Sequence, residues 1–382
     1  MKKIFILLSL LLGSVLMASA QGSAVKAGIT ISNPLNIQRA DEVVAISWTS
    51  VLDKYPSIDT ANFKVLNAAT GQEIPFQLEH LGKNAIQNLL VQVSLGAKES
   101  LGLSLVAGKA KTVVSKTYGR YVPERYDDFA WENDQVAYRM YGKALESRPD
   151  NAFGIDVWVK RTSKLVINDW YKTADYHKDH GDGMDYYSVG LTLGAGDVAP
   201  YVMDSVYYSK NYHSWKVLDN GPLRTSFQLG YDAWDVAGKS VTVVKTISLD
   251  AGSRFNRIQA VYSYAGGEEL PVVIGIVKRN EPGIVMMDEQ EGIIGYWEPE
   301  HGADGVTGVA TIYPRGNVKM DTDPVHFLTH ASVKSNEPLP YYNGSVWSKA
   351  NDAFAGTSAE QWFNYVNIFN QKLKEPLKVM IQ

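Results

Sequence analysis

Hydrophobic and polar residues alternate with a period of two along most of this chain. The clearest runs are Phe63-Lys64-Val65-Leu66, Glu73-Ile74-Pro75-Phe76-Gln77-Leu78, Ala137-Tyr138-Arg139-Met140-Tyr141 and Ile155-Asp156-Val157-Trp158-Val159. They continue with Ser226-Phe227-Gln228-Leu229-Gly230-Tyr231, Val241-Thr242-Val243-Val244 with Thr246 and Ile247, and Ile258-Gln259-Ala260-Val261-Tyr262-Ser263-Tyr264. Successive side chains of a strand point to opposite faces, so each run can turn one face to a core and the other to solvent. Gly, Asp, Asn or Pro bounds every run, and strands at this spacing predict an all-β sandwich. The first two runs flank a turn ending at Gly71 and read as a hairpin. One segment has a different period. Ser358-Ala359-Glu360-Gln361 has the form of a capping box, after which Trp362, Phe363, Val366, Phe369 and Leu373 share one side of a helix that stops before Pro376. Such a helix is expected to cover an end of a sheet.

The first twenty residues belong to neither pattern. Lys2 and Lys3, an apolar run from Ile4 to Met17 and the small residues Ala18-Ser19-Ala20 read as a cleavable secretory signal, with the mature chain starting at Gln21. The chain has no cysteine, which excludes a lipid-anchored cysteine and any disulfide. No later apolar segment is long enough for a bilayer, so the expected location is periplasmic or secreted, with no membrane contact after cleavage. Length allows one large or two ordinary domains. A small, basic stretch from Ala107 to Lys116 divides 1–20 (signal) and 21–115 (an N-terminal β-strand region) from 116–382 (the main β domain).

A net charge of −4 with mixed signs leaves no footprint for nucleic acid. Nine Trp and twenty-two Tyr suit sugar binding, because a ring covers the apolar face of a pyranose, and they suit a β-rich core equally well. Neither a Gly-x-Gly-x-x-Gly nor a complete phosphate-cradling Gly-x-x-x-x-Gly-Lys-Thr/Ser loop is present, so no nucleotide cofactor is expected; a Gly-x-Ser-x-Gly elbow is also missing. What remains is His, Tyr, Lys and carboxylate chemistry, with or without a divalent metal.

The densest candidate is Tyr176-His177-Lys178-Asp179-His180-Gly181-Asp182-Gly183-Met184-Asp185-Tyr186-Tyr187, in a chain with seven histidines. Bends at Gly181 and Gly183 would let His177, His180, Asp182 and Asp185 converge on calcium or zinc. A catalytic or sugar-contacting loop without metal and a solvated loop are the other readings. Catalytic candidates are His177, His180, Tyr186, Tyr187 and His213. A second constellation runs from Arg120 to Arg139, where Arg125, Trp131, Glu132 and Arg139 are candidate substrate contacts, since a guanidinium fork matches a carboxylate. An internal Arg–Asp network is the alternative there. Trp158, Lys160, Arg161, Trp215, Arg224, Glu298 and His301 complete the substrate-binding candidates.

Several of these segments together resemble one family. The run from Arg125 to Gly142, Gly154-Ile155-Asp156-Val157-Trp158, the segment Tyr176 to Gly190, Asp219-Asn220-Gly221-Pro222-Leu223-Arg224 and Tyr341-Tyr342-Asn343-Gly344 with Trp347-Ser348-Lys349 are similar to domain-of-unknown-function family 4861. The resemblance spans nearly all of the mature chain. It implies a Bacteroidetes setting among enzymes that dismantle plant or algal polysaccharides, often uronic-acid-containing ones, and it supplies no catalytic residue. Asn220-Gly221-Pro222-Leu223-Arg224 and Leu249-Asp250-Ala251-Gly252-Ser253-Arg254-Phe255 also resemble the strand openings of galactose-mutarotase-like supersandwiches, a fold that hosts epimerases, carbohydrate-binding domains and polysaccharide lyases.

The resulting expectation is an exported carbohydrate-active enzyme acting on acidic oligosaccharides by β-elimination or glycoside hydrolysis. His177 or His213 would be the base, Arg139, Arg161 or a metal the charge clamp, and Tyr186 or Tyr187 the acid. The alternatives are an epimerase or mutarotase, and a non-catalytic binding protein in which Trp131, Trp158, Trp215 and Trp297 stack on sugars beside a structural calcium loop.

Overall fold

Eight antiparallel strands make the central sheet, in the order Ser214–Asn220, Arg224–Val236, Lys239–Asp250, Phe255–Tyr264, Pro338–Trp347, Thr307–Ile312, Ile293–Trp297 and Ile284–Asp288. The computed structural model describes residues 26–173, 175–350 and 356–382, so the expected signal segment lies outside the described residues. Two five-stranded sheets lie side by side on one face of the central sheet. The first has the order Gly183–Met184, Asp156–Lys160, Ala137–Met140, Asp128–Asn133, Thr117–Val122, and the second Ser205–Val206, Ala195–Val202, Leu270–Val277, His326–Val333, Met320–Thr322. One apolar core joins all three, with Phe129, Trp131 and Tyr138 meeting Phe227, Leu229 and Tyr262. This is the all-β sandwich that the alternation predicts, with few and short helices.

The helix Ala359–Lys374 covers the opposite face of the central sheet, burying Trp362 and Val366 against Ile293, Ala310, Ile312 and Trp297. Ser358 caps it by accepting from the Gln361 amide at 3.3 Å, while the Gln361 side chain accepts from the Thr357 amide rather than from Ser358. Trp297, a candidate sugar contact, is thereby buried under the helix.

Residues 29–107 form two smaller sheets around a core of their own. The hairpin read between Phe63 and Leu78 does not form. The turn closes through a single bridge, Leu66 to Glu73, after which Phe63–Asn67 pairs with Ser100–Ala107 and Phe76–Glu79 pairs with Asn88–Leu95 in the other sheet. The last strand, Lys378–Ile381, crosses the boundary drawn at residue 115 and pairs with Ile29–Ser32. Arg224 ties the two parts together. Its fork spans Asp250 (2.5 and 2.8 Å) and Glu79 (3.1 Å), so this candidate substrate contact is a structural joint whose donors are already engaged. Among the described residues no helix is long and apolar enough to cross a membrane.

The inward face of Lys239–Asp250 is apolar except at Lys245. Its ammonium reaches Asp197 of the second flanking sheet at 2.6 Å and lies 4.5 Å from the Tyr231 ring centroid. Burial lowers the lysine's proton affinity and the aspartate pulls it back up. Removing one member of such a pair leaves an uncompensated charge in the core. Lys245→Met is expected to cost about 3–5 kcal/mol in urea denaturation, and adding Asp197→Leu should recover most of that loss. An equal loss in the single and double variants would contradict the pairing.

Candidate functional site

Alternation along the first flanking sheet sends Phe129, Trp131, Tyr138, Met140, Val157 and Val159 into the core. The residues between them, Asp128, Glu132, Arg139, Asp156, Trp158 and Lys160, therefore share the outer face, where strand alternation alone would leave them wet. They are buried instead, because residues 161–173 and 175–182, with Asp185 beyond the edge strand Gly183–Met184, fold back over this face as a roof. Glu132 anchors one end of that roof. Its carboxylate accepts from Lys160 and from the amides of Val166 and Ile167, each at 2.8 Å, which satisfies the start of the short helix Ile167–Trp170. Trp158 packs against Trp170, Tyr171 and Tyr176 of the roof.

The other end is held by Arg139, whose guanidinium meets Asp156 at 2.5 Å, Asp185 at 3.1 Å and Asp128 at 3.7 Å. Asp128 and Asp156 come from the sheet and Asp185 from the roof. One buried cation cannot neutralise three buried carboxylates, and desolvation favours their protonated forms. Burial pushes Asp128 up to about 7 against the pull of Arg139, while burial together with the Asp156 charge pushes Asp185 up to about 8.

These placements settle several candidates. Trp131 is fully buried with its indole N–H on Asn256 at 2.7 Å, and Trp158 is fully buried under the roof, so neither can stack on a sugar. Glu132, Lys160 and Arg139 are internal charges occupied by their partners, the Arg–Asp network that the sequence left as an alternative. The four metal-ligand candidates do not come together: His180 pairs with Asp175 (3.3 Å), Asp182 with Lys164 (3.3 Å) and Asp185 with Arg139. Among the described residues no group of three or more His, Asp or Glu is arranged to hold a metal ion. His213 stands apart, clamped between Glu146 at 2.9 Å and Asp232 at 2.7 Å. Trp215 remains 45% exposed, stacked on Tyr121 with ring centroids 4.9 Å apart.

Arg125 lies on the Tyr176 hydroxyl at 3.2 Å, and the other remaining candidates lie along or beneath a continuous line of contacts at the edge of the roof. The His177 Nδ1 lies 2.8 Å from the Asp185 carbonyl, and a carbonyl can only accept. Nδ1 therefore carries the hydrogen, and Nε2 of the neutral ring offers a lone pair to solvent; the side chain is 59% exposed. Beyond Asp185, Tyr186 shares a hydrogen bond of 2.6 Å with Thr307 and stacks on His301 at 5.1 Å. His301 meets Asp304 at 3.0 Å, and the Asp304 carbonyl accepts from Trp347 Nε1 at 2.8 Å. Arg161 lies 5.8 Å from the Trp347 ring and closes the circuit on Asp179 at 2.6 Å. Beneath this line, Arg279 donates to Glu298 at 2.7 Å and stands over the Tyr187 ring at 4.4 Å. Burial pushes Glu298 up to about 7 against the pull of Arg279. Burial and the Glu298 charge hold the Tyr186 and Tyr187 phenols well above the usual range, so both keep their protons.

Sequence reasoning reached His177, Tyr186, Tyr187, Arg161, Glu298 and His301, and it missed Arg279, Thr307 and Trp347. Arg279 sits in Val277-Lys278-Arg279-Asn280-Glu281, which carries no motif; Trp347-Ser348-Lys349 was visible only as part of the family resemblance. Two cavities, of about 460 and 320 Å³, lie elsewhere, at Met286–Gln290 with Met320 and between Tyr55 and Ala107.

The raised carboxyls predict a pH dependence of stability. A carboxyl that binds its proton more tightly when folded stabilises fully below its unfolded value of about 4 and loses that contribution as pH climbs through the folded value. For Asp128 and Asp185 the loss spans pH ~4 to the folded values of about 7 and about 8. The urea midpoint should fall across this window, and Asp185→Asn should flatten the slope by at most about 1.4 kcal/mol per pH unit. A wild-type midpoint that rises with pH over this range would contradict the assignment.

Against known proteins, the chain matches the family model "Domain of unknown function (DUF4861)" over residues 31–379. Uncharacterized protein P7 of Formosa agariphila is 32% identical over 379 residues, covering 93% of each chain. Among solved structures, a protein in glycosyl hydrolase family 38 from Enterococcus faecalis superposes with a TM-score of 0.51 at 9% identity, covering 92% of this chain and 47% of that one. An alpha-mannosidase from Enterococcus faecalis gives 0.50 at 10% identity, covering 93% and 47%. This chain thus spans about half the length of either structure, and at such identity the likeness is one of fold alone. With the family model covering nearly the whole chain and a relative of that identity along its length, the chain belongs to the DUF4861 family.

Proposed function

We propose that this protein is an exported carbohydrate-active enzyme that cleaves uronic-acid-containing oligosaccharides by β-elimination. The observation that carries the reading is the His177 ring, fixed at Nδ1 by the Asp185 carbonyl with Nε2 open to solvent. That is the arrangement of a general base. The carbon beside a uronate carboxylate bears a proton that such a base can remove, and the neighbouring C–O bond then breaks. Tyr186 is the acid for the leaving oxygen: it is half-buried, tied to Thr307, and keeps its proton at neutral pH. The surrounding fold is one that glycoside-processing proteins also use, which supports a sugar substrate by analogy only.

Glu298 favours a second reading. A carboxyl at about 7 suits the acid of a glycoside hydrolase, which would need a second carboxylate across the scissile bond.

The test is incubation of the mature protein with a panel of uronic-acid oligosaccharides, following product mass and the ultraviolet absorbance of an unsaturated uronide. Elimination gives rising absorbance and products whose masses sum to that of the substrate, and His177→Ala should lower turnover by roughly 10²- to 10⁴-fold. Products that have gained water, with Glu298→Gln as the inactive variant, would replace elimination by hydrolysis. Full turnover by His177→Ala would remove the histidine from either mechanism. Export is checked separately, by N-terminal sequencing of the secreted protein, which should begin at Gln21.

A further inference from the structure

Elimination beside a carboxylate needs a cation facing that carboxylate, and most arginines near His177 are engaged. Arg139 is buried among three aspartates, Arg161 pairs with Asp179, and Arg279 pairs with Glu298. Arg125 differs. It is half-buried, only its Nε is committed, donating to the Tyr176 hydroxyl at 3.2 Å, and among the described residues no carboxylate lies within ion-pair distance of it. Asp128 and Asp185 are close enough to feel its charge, but both belong to Arg139.

We propose that Arg125 is the seat of the substrate's carboxylate, and that it presents this group to His177. The terminal nitrogens of a guanidinium held at Nε form the fork that binds a carboxylate through two parallel hydrogen bonds. Its plane is supported by the Tyr126 ring, 4.7 Å from the Arg125 Cζ, and Arg148 lies over the same ring at 4.0 Å while gripping Asp150. Arg120 and Arg148 are paired with Glu124 and Asp150, which leaves Arg125 as the guanidinium of the three without an ion-pair partner among the described residues.

The turn that carries Arg125 is fixed in advance. Pro123–Arg125 forms one tight helical turn, and then Tyr126 (φ 51°) and Asp127 (φ 62°) both adopt the left-handed conformation, which non-glycine residues rarely do in succession. Three contacts hold them there. The Tyr212 hydroxyl donates to the Asp127 carbonyl, the Tyr121 hydroxyl donates to the Asp127 carboxylate, and Gly142 lacks the Cβ that would overlap the Asp127 backbone. A cation ordered before binding costs little entropy when the anion arrives.

Tyr176 joins the two halves of the site. Its hydroxyl holds Arg125, and its ring lies 4.4 Å from the ring of His177. A uronate seated on Arg125 turns its adjacent C–H toward the His177 Nε2. The proton passes to that nitrogen, and the C–H electron pair moves into the carboxylate as an enediolate paired with Arg125. The pair then returns to form the C=C bond as the bond to the leaving oxygen breaks, and that oxygen takes a proton from the acid. Atoms and charge balance without any further reactant.

This chemistry rests on the elimination reading, whereas the binding claim does not. Calorimetry of the full chain with glucuronate, galacturonate and iduronate, against methyl glucoside and methyl galactoside, tests the latter. A uronate should bind in a salt-sensitive manner, and Arg125→Gln should weaken that binding by roughly 10- to 100-fold with an unchanged melting profile. Absence of saturable uronate binding by the wild type, or equal binding by Arg125→Gln, overturns the proposal. The activity assay separates the two claims. Elimination that survives Arg125→Gln unchanged sinks the role of Arg125 and leaves the reaction standing. Arg125-dependent uronate binding without elimination on any oligosaccharide keeps the anion seat and sinks the reaction. A fall in kcat that Arg125→Lys partly restores supports both.

Discussion

One guanidinium governs the functional half of this molecule. Arg139 stands on the outer face of a sheet whose inner face is already committed to the core, and it draws together two aspartates from that sheet and one from the loop above. Each buried ion costs several kcal/mol of lost hydration, so the arrangement persists only because attraction, hydrogen bonds and partial protonation offset that cost. Without Arg139, the Asp185 end of the roof would have carboxylates facing carboxylates. Glu132 does the corresponding work at the other end by collecting an ammonium and two backbone amides. The segment from Tyr176 to Tyr187 is therefore tied to the sheet beneath it, and its consecutive residues point to different partners: Asp185 inward, Tyr186 toward Thr307, Tyr187 toward Arg279.

The same anchoring divides the charge between two levels. Carboxylates with raised proton affinity lie beneath the surface, at Asp128, Asp185 and Glu298, while the imidazoles of His177 and His301 lie on it. The buried groups lie out of reach of a ligand, and the exposed rings are the ones it would meet. The solved structures that share the fold add no residue-level information at 9 and 10% identity, so the functional argument rests on this arrangement.

Strand positions were legible in the sequence because period two is written residue by residue. The faces were less so. Alternation says that Trp131 and Trp158 point to opposite sides of the first flanking sheet, but it cannot say that a later segment will cover the outer side and bury Trp158 too. The failed hairpin has a similar cause: Phe63–Asn67 and Phe76–Glu79 each read correctly as strands, and their partners were decided by packing around a core that local pattern does not reveal. Aspartates three apart suggested a metal, yet Asp182 and His180 found partners close by and Asp185 found Arg139, because a charge is satisfied by whichever opposite charge the fold brings near. Arg279 and Thr307 were invisible since nothing nearby in the chain marks them, and only the tertiary fold sets them beside Tyr186 and Tyr187.

The pairing of Lys378–Ile381 with Ile29–Ser32 has a bearing on how the molecule comes to be folded. One sheet of the N-terminal unit stays incomplete until a strand that follows the whole central sandwich in sequence joins it. Contacts of such long sequence separation form late, because closing so large a loop precedes any gain from it. The central sandwich would then be assembled while the small unit still exposes the edge of Ile29–Ser32, a transient template for strands of other chains. Completion of that edge is thus a late step, and a delay in docking Lys378–Ile381 prolongs the interval in which the open strand can pair with another chain.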